Sequence, residues 1–85
     1  MTKKQAVVIS MKAASLAVRG MDTEDRQFYQ ELGEDPFARC YEEYLDQLQS
    51  GDSQCLRTWL GWKIEEGNRQ AIEIMKLLIK SELAA

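Results

Sequence analysis

Histidine is absent from the 85 residues, and with it the one side chain whose ordinary pKa lets it exchange a proton near neutral pH. Ser–His–Asp triads, Cys–His dyads and histidine-ligated hydrolytic metals are thereby excluded. Cysteine occurs only at Cys40 and Cys55, and two isolated cysteines cannot complete a four-ligand zinc site. They fall on helices expected to face each other. The otherwise ordinary composition, however, is that of a reduced intracellular protein, in which both are small buried hydrophobes rather than a disulfide. No GxGxxG or GxxxxGK[ST] phosphate loop is present. Long apolar runs are missing too. Lys12 interrupts the stretch that starts at Ala6, leaving it too short for a secretory leader core and far too short to span a bilayer. A cytoplasmic protein with no membrane association is expected.

The formal net charge is −3, and its distribution says more than its sum. Residues 1–19 carry Lys3, Lys4, Lys12 and Arg19 with no acid, residues 20–52 carry ten acids against Arg26 and Arg39, and residues 53–85 are nearly balanced. No basic stripe with interleaved aromatics appears, so nucleic-acid binding lacks its usual footprint. An acidic middle suits a partner with a basic surface. The run Asp22-Thr23-Glu24-Asp25 lacks the alternating oxygen ligands, central glycine and terminal glutamate of a calcium loop, and reads as a helix start. The pairs Glu42/Asp46 and Glu43/Asp46 lie on a polar helix face, where a retuned carboxyl pKa lacks the burial it needs. The five arginines fall about one per helix, and nothing assigns them a common substrate. The chain is therefore expected to be no enzyme and to need no cofactor and no metal.

What is present is helical periodicity. The single proline, Pro36, follows Asp35, an N-cap residue with a first helical position that needs no N–H. Phe37, Cys40, Tyr41, Tyr44, Leu45 and Leu48 then share one arc at 100° per residue, opposite Arg39, Glu42, Glu43, Asp46 and Gln49. Ser50-Gly51-Asp52 stops this helix and starts another that carries Leu56, Trp59, Leu60, Trp62 and Ile64, and the two are expected to pack as antiparallel neighbours. Residues 3–19 give a helix ended by Gly20, with Val7, Met11, Ala14 and Val18 in one stripe and Ile9 and Leu16 nearly opposite. Such a helix wants cover on two sides. A short helix carrying Phe28, Tyr29 and Leu32 follows Asp22. The 69–83 helix is apolar around about two-thirds of its circumference, and the residues before it, Glu65-Glu66-Gly67-Asn68, spell either a break or a kink.

These features predict an all-α fold, a small bundle of four to five helices in a single unit over residues 1–85, with Trp59, Leu60, Phe37, Tyr44, Leu45, Leu48 and Ile72 in its core. So small a bundle cannot surround both the 5–19 and 69–83 helices, so a homodimer through them is expected. Ile74, Leu77 and Leu78 are the candidate interface residues on the last helix, with Ile72, Ile79 and Leu83 turned toward the chain's own core. Trp62, at the edge of its arc, is a candidate anchor for a partner. The functional expectation is a non-enzymatic protein that acts through protein–protein contact, as regulator, adaptor or inhibitor. The alternative is a dimeric helix-turn-helix DNA-binding regulator built on residues 52–83, against which the apolar surface of the last helix counts.

Overall fold

The computed structural model describes residues 1–84, in which the chain forms α1 (Lys3–Arg19), α2 (Thr23–Glu31), α3 (Pro36–Gln49), α4 (Gln54–Glu65) and α5 (Arg69–Leu83). No strand occurs among the described residues. The helix starts follow from local chemistry. Thr2 and Gln5 close a reciprocal capping box on α1: the Thr2 Oγ1 accepts from the Gln5 N–H at 3.1 Å and the Gln5 Oε1 from the Thr2 N–H at 2.8 Å. Asp22, Asp35 and Asn68 cap α2, α3 and α5 by accepting from Asp25, Phe37 and Ala71 N–H groups.

The stops are equally local. Gly51 and Gly67 take φ of +79° and +86°, a left-handed geometry open to glycine at little cost. Each lets the next N–H turn back onto the helix just ended, Asp52 to the Gln47 carbonyl at 2.9 Å and Asn68 to the Lys63 carbonyl at 3.0 Å. Residues 65–69 are thus a break and not a kink.

The closest pairing is that of α1 with α3, and α1 also packs against α5, on which α4 packs in turn. The small residues of α1 explain the arrangement. Ala6, Ser10 and Ala13 are buried along one stripe, where side chains this short let a neighbouring helix approach closely. On the adjoining face Ile9 and Leu16 join Leu56 and Leu60 of α4 and Leu78 of α5 in one apolar cluster. Ile9, Leu56, Leu60 and Leu78 are fully buried, each contributing about 2 kcal/mol of transfer free energy. Phe37 shares a groove with Arg19, and Met1 lies with Leu48 and Glu82, so α3 and α5 both run antiparallel to α1.

Several sequence expectations change here. Of the expected core, Leu48 and Leu60 are buried, but Trp59, Phe37, Tyr44, Leu45 and Ile72 are only partly so. The last helix has the reverse facing: Ala71, Ile74, Leu78 and Ser81 point inward, and Ile79 and Leu83 are exposed. With apolar residues on both sides of α5, the small Ala71 and Ser81 choose the side that reaches α1 most closely. The same preference turns Ile9 and Leu16 inward and leaves Met11 exposed. The backbones of α3 and α4 are not close neighbours, because α1 occupies the inner flank of α3. They meet through Tyr44 and Trp59, whose ring centroids are 5.9 Å apart. Cys40 is buried, but Cys55 is exposed, and both are free thiols.

Candidate functional site

Reactive chemistry is the first possibility to weigh, and the groups with displaced pKa values point away from it. Burial pushes the Tyr44 phenol well above its ordinary value, and raises Tyr29 and the Cys40 thiol as well, with Glu43 adding to each. All three shifts favour the neutral, unreactive form, the opposite of what activates a nucleophile. Among the described residues no group of three or more Cys, Asp or Glu side chains is placed to hold a metal ion. No helix there is long and apolar enough to cross a membrane.

A groove of about 750 Å³ lies beside α1, walled by Met11, Lys12, Ser15 and Arg19 from that helix, Phe37 from the start of α3, and Gln70, Glu73, Ile74 and Leu77 from α5. Its size falls in the range of binding clefts. Met11, at 48% exposure, and the half-buried Phe37 and Leu77 supply its apolar surface. Lys12 and Arg19 supply its charge. Among the described residues the ion pairs are Arg57–Glu82 at 2.8 Å and Lys63–Glu66 at 3.3 Å, so neither groove cation is neutralised by a carboxylate. The Arg19 Nε donates only to the Ser15 carbonyl, at 3.3 Å. Two smaller concavities, of about 290 Å³ and about 190 Å³, lie at the Met1–Glu82 end and between Glu34 and Glu42.

The expected interface residues divide. Trp62 is 60% exposed on the edge of α4, and Leu77 is half-buried in the groove wall. Ile74 and Leu78 are corrected: at 4% and 0% exposure they belong to the chain's own core, for the reason given for α5 above. Sequence reasoning missed Met11, Phe37, Val8, Ile79 and Leu83 as exposed or groove-lining positions. Met11 and Val8 had a signal in the acid-free α1, whose outer face carries them between Lys4, Lys12 and Arg19.

The short α2 buries none of its residues. It is tethered at its start by Arg26, whose Nη2 donates to the Val18 carbonyl at 2.6 Å and whose Nε donates to Met21 at 3.4 Å. Phe28 and Leu32, one turn apart, are both more than half exposed. For the DNA-binding alternative the relevant geometry is that of α4 and α5. The Arg57 guanidinium in the first half of α4 and the hydroxyl of Ser53, just before that helix, both donate to Glu82 in the last turn of α5. The two helices therefore lie side by side to their far ends, as an antiparallel hairpin. No known family, curated protein or solved structure matches the chain.

Proposed function

We propose that the protein acts by binding polypeptide chains rather than by catalysing a reaction, and that it associates with itself through the α1–α5 side. The observation that supports this reading is the apolar surface left open there: the Met11–Phe37–Leu77 groove, with the exposed Val8 beside it on α1. Scattered exposed apolar residues are ordinary, but a concave apolar surface with partly buried walls is the form that binding sites take. Symmetric self-association is the commonest way for such a surface to find cover. The acidic outer face of α3, with Glu42, Glu43 and Asp46, remains available for a basic partner, which suits a regulator, adaptor or inhibitor.

The side-by-side course of α4 and α5 does not favour the helix-turn-helix reading, which needs helices crossing at about 90–120°. The outward face of α5 also sets Ile72, Ile79 and Leu83 beside its cations, poor material for a groove of DNA.

Light scattering on the purified chain at tens of micromolar tests the proposal. The wild type is expected as a dimer and Met11→Glu/Leu77→Glu as a folded monomer. A monomeric wild type overturns the self-association. Nanomolar, strongly salt-dependent binding to a defined duplex overturns the protein-binding reading in favour of DNA.

A further inference from the structure

We infer that the groove beside α1 is covered by α2 of a second copy of the chain, a conclusion that rests on the self-association proposed above. Two independent features of one molecule complement each other. The groove is apolar at Met11, Phe37 and Leu77, and its charged walls are Lys12 and Arg19 on the acid-free α1 against the single carboxylate of Glu73 on α5, a net positive balance. In α2 the complementary pattern appears. Phe28 and Leu32 point to solvent on one face, and at 100° per residue Glu24 and Glu31 flank them on one side and Asp25 on the other.

An amphipathic helix laid into an apolar groove is a recurrent mode of recognition, read as anchors at i and i+4. Here the anchors are present but unused within their own chain. Nothing has to unfold for the contact to form, since α2 buries no residue and Arg26 fixes it to the end of α1.

The charges also decide how two copies meet. The α1–α5 face carries Lys12 and Arg19 against Glu73 alone, so a second copy of that face would bring it more cations than carboxylates. Placing α2 there instead brings carboxylates to those cations, so the surface recognised differs from the surface recognising. Such a pairing closes into a dimer if each copy inserts α2 into the other's groove, and otherwise propagates head to tail.

The test uses two double variants, each altering exposed residues only, with circular dichroism confirming the helical fold of both. Phe28→Ser/Leu32→Ser removes the anchors and Lys12→Glu/Arg19→Glu reverses the groove charge. By light scattering and sedimentation, each alone is expected to weaken self-association by roughly tenfold or more. An equimolar mixture is expected to associate more tightly than either variant alone and less tightly than the wild type, because a mixed pair holds one intact α2–groove contact where a wild-type pair holds two. Raising salt toward 1 M, where screening reaches about 3 Å, is expected to weaken the wild-type contact.

If Phe28→Ser/Leu32→Ser associates as the wild type does while Met11→Glu/Leu77→Glu does not, self-association stands and α2 as its occupant is rejected. A mixture that associates no more tightly than either variant alone rejects it as well. A wild type that stays monomeric throughout rejects both the occupant and the self-association.

Discussion

Replacing Ser10 by alanine should make the protein more stable. Ser10 is fully buried in the small-residue stripe of α1, and its hydroxyl has no hydrogen-bond partner. A buried polar group left unpaired costs about 1–3 kcal/mol. In a helix interior alanine is also preferred over serine by roughly 0.5 kcal/mol. Against these gains stands the loss of one oxygen atom's contacts, worth a few tenths of a kcal/mol. The expected net gain is about 1–2 kcal/mol, and in a chain of this size each kcal/mol moves the midpoint by about 4–8 °C. Thermal and urea melts followed by circular dichroism measure it directly. Ser10→Val is the companion variant, because an added branch in the closest helix contact should cost about 1–3 kcal/mol. A lower midpoint for Ser10→Ala would refute the reasoning, since the hydroxyl must then be bonded, for instance to the Ala6 carbonyl one turn earlier. A well-tolerated valine would mean that the neighbouring helix is less tightly apposed to this stripe than described.

Truncations along α4 should rank by burial and not by side-chain size: Leu60→Ala costing about 3–4 kcal/mol, the half-buried Trp59→Ala about 2 and the exposed Trp62→Ala within about 0.5. Denaturant midpoints check the order, and a Trp62→Ala loss as large as that of Leu60→Ala would overturn the burial argument. Alkaline pH supplies another prediction. Burial raises the Tyr44 phenol above its unfolded value, so the folded chain holds that proton after the unfolded chain has lost it. The contribution of Tyr44 is intact below about pH 10, the unfolded phenol value, and is lost as pH rises beyond it. The melting midpoint should therefore fall above about pH 10, and less steeply in Tyr44→Phe, with Tyr29 and Cys40 leaving a residual slope of the same sign. Parallel slopes for wild type and Tyr44→Phe would remove Tyr44 as the cause.

The helices were legible because their ends are decided within a few residues. Asp35-Pro36, Asp22, Gly51 and Gly67-Asn68 each act on the neighbouring backbone, and α1 and α3 run where the sequence places them. Which faces meet is a longer-range matter. In α3 the apolar arc was clear, and its inward turn followed. In α5 two apolar faces compete, and counting large side chains selects the Ile72–Ile79–Leu83 side, whereas the fold buries Ala71, Ile74, Leu78 and Ser81. Hydrophobic periodicity assigns little weight to alanine and serine. Close backbone approach depends on them, and only the assembled bundle shows that α1 needs such neighbours on two sides.

The candidate site was legible in part for the same reason. That α1 and α5 lack full cover follows from composition, and Leu77 and Trp62 lie at accessible positions, but the groove itself requires Phe37 from a third helix to close one end. No periodicity links Phe37 to Met11. The charge pattern, by contrast, was present in the sequence from the outset, as an acid-free first segment followed by an acidic one. Folding gives it spatial meaning by keeping the acid-free helix beside the apolar groove and leaving the acidic α2 unburied. A chain in which α2 served only as a connector would have no need of Phe28 and Leu32 on its solvent side, where polar residues would connect α1 to α3 equally well. Their exposure, set between carboxylates, is what suits α2 to the proposed contact with the groove of a second copy.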